Sequence, residues 1–269
     1  ILCCCFLLPL ALVHAGPAVK PNVLFILVDD YGIKDVGVEG SQFYETPNID
    51  SLARSGMRFT QGYAACCVCS PSRASILLGQ YPTRHGITDW VGAKVSAQFA
   101  HERHTKLLVP DYVRNLPAND TTLADAFKQA GYVTFFAGKW HLGSKGAWPE
   151  DRGFDINKGG WDAGSPTGGY YAPWKNPNLP NGPRGQSLTQ RLADETISFL
   201  EQSTNKPFLA YLAFYAVHGP IETSKPLWEK FRAKAAAQPK PKERFEIDRT
   251  MPVRVVQDNP IYAGLIANM

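Results

Sequence analysis

The sequence predicts an α/β fold with a largely parallel central sheet, and two observations carry this prediction. Apolar runs typical of buried strands alternate along the chain with segments whose apolar residues recur at helical spacing. Three of the predicted strands also end in polar side chains, namely Asp29 and Asp30, Lys139 and His141, and His218. Because open parallel sheets bind ligands beyond the carboxyl ends of their strands, we expect these side chains to converge on one site.

The first two predicted elements lie in the N-terminal part of the chain. Residues 23–28 are continuously apolar, as expected of a strand that is covered on both faces. A helix is predicted over residues 46–55, because Thr46 and Pro47 are typical of a helix start and Gly56 of a stop. The apolar face of this helix carries Ile49, Leu52 and Ala53.

The alternation of helices and strands continues through the second half of the chain. The predicted elements are a helix over residues 122–131, a strand over 132–137, a helix over 187–201 and a strand over 208–217, with a last helix beginning near Tyr262. The cap of the first of these helices is Thr121 or Thr122, and its inward face is expected to carry Leu123, Ala126, Phe127 and Ala130.

The composition is that of an ordinary globular protein. Of 269 residues, 44% are hydrophobic and 19% are charged, and the sequence has no heptads or internal repeats, so it can form one large domain or a domain and a half. The formal charge of +4 is modest and no dense basic run is present, which argues against a nucleic-acid partner.

The N-terminal segment indicates export. Residues 1–15 are apolar and end in Val-His-Ala before Gly16, which is typical of the hydrophobic and cleavage regions of a signal peptide. A transmembrane segment needs about 20 apolar residues, so none is predicted here. Because no initiator Met or basic region precedes it, we interpret residues 1–15 as a partial signal peptide of a periplasmic, extracellular or secretory-pathway protein. Three cysteines, Cys3, Cys4 and Cys5, would be removed with it.

Five further residues have no predicted role in chemistry. Cys66 and Cys67 are interpreted as small packing residues, since three clustered cysteines do not make a disulfide framework. His85, His101 and His104 are interpreted as surface histidines.

A stretch that begins at Cys69 predicts a nucleophile at the start of a helix. Ser70 is a plausible N-cap and Pro71 suits the first helical position, so a helix is predicted over residues 72–78 with a stop at the following glycine. Cys69 would then lie at the positive end of the helix dipole, and Arg73 can add a charged fork of donors one turn in. This arrangement favours an anionic ligand.

The Asp29-Asp30 pair after a buried strand indicates either a metal site or a solvated strand end. Two close carboxylates repel each other unless they share a cation or a proton. Oxygen ligands point to Ca²⁺ or Mg²⁺, and no histidine cluster with zinc spacing is present in the sequence.

The stretch from Cys69 to Gly79 resembles the signature of the type I sulfatases, Cys-x-Pro-Ser-Arg-x-x-x-Leu-x-Gly, at every fixed position, and Gly-Lys-Trp-His-Leu-Gly at 138–143 is similar to a second motif of that family. The resemblance implies an alkaline-phosphatase-like three-layer sandwich. It implies that a formylglycine-generating enzyme converts Cys69 to formylglycine (3-oxoalanine), whose hydrated aldehyde is the nucleophile. It also implies that Asp29, Asp30 and the modified Cys69 bind Ca²⁺, with Mg²⁺ as the alternative.

The same resemblance gives a role to each remaining site residue. Arg73 and Lys139 would stabilise charge on the sulfate, and His141 would hydrogen-bond the diol of the modified Cys69 and assist its collapse to the aldehyde. His218 would contact the sulfate and help to protonate the leaving oxygen. One hydroxyl of the diol would attack sulfur, and deprotonation of the other would expel sulfate.

The resemblance covers residues 22–269, where the sequence stops. We therefore expect residues 16–269 to form an incomplete N-terminal sulfatase catalytic domain, truncated before the small C-terminal subdomain. The Asp-Asn pair that completes the metal site in that family is missing from this sequence. Because Ca²⁺ takes about six to eight oxygen ligands, the chain as written is expected to be inactive.

The predicted substrate is a sulfated carbohydrate or an aryl sulfate, because within the family the sequence most resembles arylsulfatase and N-acetylgalactosamine-6-sulfatase-like enzymes. A long loop over residues 144–185 either lines a sugar subsite, with Trp161 and Asp162 as candidates, or packs onto the domain. Its other aromatic residues include Tyr170, Tyr171 and Trp174. Two other functions stay open, namely phosphate or phosphonate ester hydrolysis and non-catalytic binding of sulfated glycans.

Overall fold

A computed structural model describes residues 20–95, 106–203 and 205–269. The strands are β1 (Val23–Leu27), β2 (Val133–Gly138), β3 (Ile156–Lys158), β4 (Phe208–Ala213), β5 (Phe245–Asp248) and β6 (Met251–Arg254). The helices are α1 (Pro47–Ser55), α2 (Cys69–Leu78), α3 (Pro82–His85), α4 (Leu123–Gln129), α5 (Leu188–Gln202), α6 (Lys225–Ala236) and α7 (Pro260–Ala267). Four strands form a parallel sheet in the order β1-β4-β2-β3, and β5 and β6 form a separate antiparallel hairpin.

Helices cover both faces of the parallel sheet. On one face, Phe135 and Leu212 belong to a core cluster with apolar residues of α5, α6 and α7. On the other face, Phe136 and Tyr211 belong to a cluster with residues of α2 and α4. Successive strand residues point to opposite faces, so each of these strands contributes to both clusters. The predicted three-layer α/β sandwich with a parallel sheet is confirmed.

The first strand is less covered than its apolar sequence predicts. Leu24 and Ile26 are 45% and 46% exposed, whereas the alternate residues of β1 pack partly buried against the second cluster. In the described part of the chain β1 pairs only with β4, and α1 beside it has no fully buried residue. The prediction of cover on both faces is therefore wrong for this structure, because a continuous apolar run does not specify where its cover comes from.

Helix α4 begins at the predicted cap, and part of its predicted inward face packs against the core. The Thr122 hydroxyl accepts a hydrogen bond from the backbone N–H of Asp125, whose carboxylate accepts one from the N–H of Thr122. Ala124 is fully buried, whereas Ala126 and Ala130 are exposed, contrary to the prediction. Leu123 and Phe127 pack against the second core cluster, as predicted.

Two segments near the site differ in extent from their predictions. Strand β4 ends at Ala213, and the chain continues to His218 outside the ladder, with the Val217 N–H donating to the Asp29 carbonyl at 2.7 Å. The predicted loop over residues 144–185 contains β3 and a 3₁₀ turn at Pro149–Arg152. The first difference brings residues 214–218 beside the chain that follows β1.

The predicted environments of His85 and Cys67 are wrong. His85 is buried, not exposed, because its ring nitrogens have protein partners: Nε2 lies 3.1 Å from Ser75 Oγ, and Nδ1 accepts from the Ile87 N–H. Cys67 is exposed and does not serve as a packing residue, whereas Cys66 is half-buried.

Some predictions concern residues that the structure does not describe. These are the signal peptide over residues 1–15, His101 and His104. Among the described helices, none combines the length and the apolar character that crossing a membrane requires.

Candidate active site

Helix α2 presents Cys69 at its N-terminal end, as the sequence predicts, but the helix begins earlier than expected. Its first residue is Cys69 and its N-cap is Val68, not Ser70. Ser70 is fully buried and uses its hydroxyl in contacts with other segments. The helix ends at Gly79, whose φ of 63° is the left-handed conformation predicted for the stop. The free N–H groups of the first turn therefore lie beside Cys69, where they favour an anion.

Asp29, Arg73 and Lys139 form a buried ion cluster behind the helix start. One Asp29 oxygen lies 3.1 Å from an Arg73 guanidinium nitrogen, and the other accepts from Lys139 Nζ. Burial alone would raise the pKa of Asp29, but the charges and hydrogen bonds of Arg73 and Lys139 outweigh it and hold the pKa below its usual value. A second Arg73 nitrogen donates to the Lys139 carbonyl at 2.7 Å, which ties α2 to the end of β2.

His141 faces the Cys69 side chain. Its Nδ1 lies 3.4 Å from Cys69 Sγ, and its Nε2 lies 2.9 Å from the Val91 carbonyl oxygen. Burial, assisted by the nearby Lys139 charge, lowers the pKa of His141 to about 4, so the ring is neutral at neutral pH. His141 has a φ of 56°, a conformation that non-glycine residues adopt rarely and mostly where function requires it.

Lys139 and Trp140, which precede His141, are both buried. The Trp140 ring is buried against Phe136 with a centroid distance of 5.3 Å. The Lys139 side chain is 0% exposed and lies behind Asp29, so it does not line the open space beside Cys69. In this conformation Lys139 supplies charge through Asp29 and makes no surface for a ligand.

Asp30 and His218 meet at the mouth of the site. Asp30, with a φ of 56° and 58% of its side chain exposed, has one carboxylate oxygen 3.8 Å from His218 Nε2. His218 Nδ1 lies 2.8 Å from the Gly219 carbonyl, and the His218 carbonyl accepts from the Tyr170 hydroxyl at 2.8 Å. The side chains that follow β1, β2 and β4 thus lie at one edge of the sheet.

Cys69 lies where two open clefts meet. The aromatic cleft, of about 610 Å³, is lined by Cys69, Trp90, His141, Trp161, Asp162 and His218 together with small loop residues. The carboxylate cleft, of about 640 Å³, is lined by Asp29, Asp30, Cys66, Cys69, Ser72 and Arg73, among others. The structure therefore brings Trp161 and Asp162 to the same cleft as the predicted nucleophile.

The two interpretations of the long loop apply to different parts of it. Tyr170 and Trp174 are buried in the first core cluster, so they pack the loop onto the domain. Trp161 and Asp162 face the aromatic cleft, where Asp162 also accepts a hydrogen bond from Trp148 Nε1. This earlier part of the loop borders the cleft that contains Cys69.

Three residues around His141 were not predicted from the sequence. Trp90 lines the aromatic cleft with its ring 6.4 Å from the His141 ring, and Val91 contacts His141 through its backbone. Gly164 lies against the imidazole, since a Cβ built there would be 2.3 Å from a ring carbon. No sequence motif marks these residues. Val91 acts through its backbone, Gly164 acts through its lack of a side chain, and Trp90 is a single tryptophan in an irregular segment.

The carboxylate cleft has the donor chemistry of a hard-cation site but only part of a coordination shell. Asp29 and Asp30 offer carboxylate oxygens, which Ca²⁺ and Mg²⁺ prefer. Both Asp29 oxygens already contact cationic side chains, while the Asp30 carboxylate is more than half exposed. Within residues 20–95, 106–203 and 205–269, no group of three or more His, Cys, Asp or Glu side chains is arranged to hold a metal ion.

Comparison with known proteins identifies relatives over most of the chain. The family model for sulfatases matches residues 21–269. Arylsulfatase G from Rattus norvegicus is 35% identical over 245 residues, covering 78% of this chain and 43% of that protein. N-acetylgalactosamine-6-sulfatase from Canis lupus familiaris is 34% identical over 238 residues, covering 79% of this chain and 42% of that protein. The chain spans less than half the length of these two curated relatives.

A solved structure has the same architecture. Ps i-CgsB, in a crystal structure of its complex with k-i-k-neocarrahexaose, superposes with a TM-score of 0.67 at 25% identity. The match covers 93% of this chain and 52% of that one. The similarity therefore extends through the sheet and both helical layers.

Proposed function

The chain belongs to the sulfatase family, and from this premise we propose that it hydrolyses sulfate esters with residue 69 as the nucleophile. The observation that carries the proposal is the position of Cys69, at the first turn of α2 with His141 Nδ1 3.4 Å from its sulfur. Helix N–H groups stabilise an anion there, and a neutral imidazole can accept a proton from the reacting group. Family membership favours this function over phosphonate hydrolysis or non-catalytic glycan binding.

We further propose that Cys69 is converted to formylglycine by a formylglycine-generating enzyme. The hydrated aldehyde supplies an oxygen nucleophile that an unmodified thiol does not. His141 would accept the proton that must leave residue 69, because its Nδ1 faces that side chain. Arg73 would stabilise negative charge that develops on the sulfate, since its guanidinium lies one turn into the same helix and lines the carboxylate cleft.

His218 is proposed as the residue that assists the leaving oxygen. Its Nδ1 lies beside a carbonyl oxygen, which can only accept, so Nε2 can donate a proton when the ring is charged. His218 Nε2 also lies 3.8 Å from an Asp30 carboxylate oxygen, so this nitrogen faces the mouth of the site. Lys139 is proposed to balance the buried negative charge of the Asp29 carboxylate, which its Nζ contacts.

A Ca²⁺ ion is proposed for the carboxylate cleft, with Mg²⁺ as the alternative. Asp29, Asp30 and the modified residue 69 would hold it, together with ligands beyond those described. When bound, such a cation would stabilise negative charge near residue 69. Asp30 supports this proposal because its carboxylate is exposed to the cleft beside Asp29.

The substrate is proposed to be a sulfated carbohydrate, with an aryl sulfate as the smaller alternative. Trp161 and Asp162 would contact the organic part, since both line the aromatic cleft that opens on Cys69. Indole rings commonly pack against apolar faces of ligands, and a carboxylate can accept from hydroxyls. Two relatives are named for sulfatase activity, which agrees with this class. Export of the protein is also proposed, because residues 1–15 are typical of a signal peptide.

The proposal is tested first by peptide mass spectrometry of residue 69 in the full-length protein co-expressed with a formylglycine-generating enzyme. We expect an aldehyde at residue 69, and no change at Cys67, which is exposed two residues away. Cys67→Ser should keep turnover of an aryl sulfate, whereas Cys69→Ala should abolish it. Cys69→Ser should take up sulfate without releasing it.

Two outcomes would contradict the proposal. An unmodified thiol in the presence of an active maturation enzyme would exclude the formylglycine nucleophile. Multiple turnovers by Cys69→Ser would show that a second hydroxyl on residue 69 is not needed to release sulfate.

A further inference from the structure

Ser70 joins three segments of the site through two hydrogen bonds. Its hydroxyl donates to the His141 carbonyl oxygen at 2.9 Å and accepts from the Val91 N–H at 3.0 Å. The residue is fully buried, so water does not compete for these bonds. Because the hydroxyl has one hydrogen, the carbonyl fixes its direction and leaves a lone pair for Val91. Ser70 therefore sets the distance between the start of α2, the backbone at Val91 and the backbone at His141.

Val91, which donates to Ser70, also contacts the imidazole of His141. Its carbonyl oxygen lies 2.9 Å from His141 Nε2. A carbonyl can only accept, which assigns the ring hydrogen to Nε2. In a neutral ring Nδ1 is then the acceptor, and Nδ1 is the nitrogen that lies 3.4 Å from Cys69 Sγ. Ser70, Val91 and His141 thus form a closed ring of hydrogen bonds beside residue 69.

Gly164 limits the movement of the same imidazole from the cleft side. A Cβ at this position would lie 2.3 Å from His141 Cε1 and 2.6 Å from Nδ1. Such distances are far below ordinary contact, so only glycine lets the loop approach the ring face this closely. His141 is therefore confined between the Gly164 backbone and the Val91 carbonyl.

We infer that Ser70 is a positioning residue for His141. It acts through the Val91 backbone, while the Gly164 backbone restricts the ring from the other side. Together they hold His141 in the tautomer whose Nδ1 accepts a proton from the reacting group at residue 69. The inference deepens the proposed function and rests on residue 69 being the nucleophile. Loss of the Ser70 hydroxyl would leave the Val91 N–H and the His141 carbonyl without their buried partner. The Val91 carbonyl would then shift, and Nε2 would lose the acceptor that fixes its hydrogen.

The test compares Ser70→Val with Ser70→Thr, which have nearly the same shape and differ in the hydroxyl. Nitrogen-15 NMR of labelled histidine in the full-length protein reads the tautomer, with His141→Gln assigning the signals. We expect wild type and Ser70→Thr to show a protonated Nε2 and an unprotonated Nδ1. Ser70→Val should show averaged tautomers and a kcat for an aryl sulfate lower by about 10- to 100-fold, with KM changed far less.

Unchanged tautomer and kcat in folded Ser70→Val would overturn the inference. If that variant fails to fold, Ser70→Ala applies the same criterion, because it removes the hydroxyl without adding volume to the buried site. The tautomer comparison also separates the two proposals. A wild-type protein that hydrolyses no sulfate ester would refute the proposed function, whereas the nitrogen signals would still decide whether Ser70 positions His141.

Discussion

The two clefts that meet at Cys69 are similar in size but differ in chemistry. In the carboxylate cleft, charge is concentrated and internally paired, with Asp29 held between Arg73 and Lys139. In the aromatic cleft, tryptophan rings and small loop residues leave the surface largely uncharged. A sulfate ester has an anionic end and an organic end, and the two sides of residue 69 offer unlike surfaces for them. We therefore expect the stability of the protein to depend more on the carboxylate cleft and the binding of a ligand more on the aromatic cleft.

The largest expected effect comes from breaking the ion cluster of the carboxylate cleft. Asp29→Asn would leave two buried cations without their carboxylate, so the free energy of unfolding should fall by about 3–5 kcal/mol. Urea unfolding of the full-length protein measures this change. The neighbouring Asp30→Asn is the matched control, because its side chain is 58% exposed.

For the control, with both proteins measured in the presence of a chelator that removes the cation, the expected change in the free energy of unfolding is within about 0.5 kcal/mol. Equal destabilisation by the two substitutions would show that the buried cluster is not what distinguishes Asp29. Activity is not the readout of this comparison, because both carboxylates belong to the proposed cation site.

A smaller effect is expected from the aromatic cleft. Trp161→Ala should weaken binding of a sulfated oligosaccharide by about 1 kcal/mol, or about fivefold in KM, because it removes a ring face. The free energy of unfolding should change much less than in Asp29→Asn. Trp161→Phe keeps a ring and is the matched control. An unchanged KM in Trp161→Ala would remove Trp161 from the substrate surface.

The smallest effect concerns His85, the last residue of α3, whose Nε2 lies 3.1 Å from Ser75 Oγ in α2. Burial lowers the pKa of His85 below the value of 6.5 expected in the unfolded chain. The folded state therefore favours the neutral ring, whose Nδ1 accepts from the Ile87 N–H. The resulting stability is complete above pH 6.5 and is lost as the pH falls from 6.5 through the lower folded pKa.

Unfolding free energies measured above and below pH 6.5 check this prediction. His85→Asn is the control, since it keeps an acceptor for the Ile87 N–H and does not titrate. The difference between wild type and this variant isolates His85 from His141, whose pKa is also lowered. The same pH dependence in both proteins would assign the effect to other groups.

The sequence predicted most of the helices and strands of the central sheet because their signals are local. The spacing of apolar residues predicts the positions of strand β2 and helix α5. A glycine predicts the stop of α2 at Gly79. Errors arose where cover came from elsewhere in the chain. One face of β1 lacks the cover that its apolar run predicts, and the His85 ring is buried with Ser75 and Ile87 as partners. Periodicity reports neither.

The sequence by itself determined which side chains follow the strands and begin α2, since Asp29, Cys69, Lys139 and His141 stand in short, recognisable strings. Only the tertiary structure decided how these groups pair. Lys139 lies behind Asp29, and Ser70 contacts Val91 and His141 instead of capping its helix. The physical reason is that buried polar groups must find partners, and the partners nearest in space are about 20 to 110 residues away in the chain.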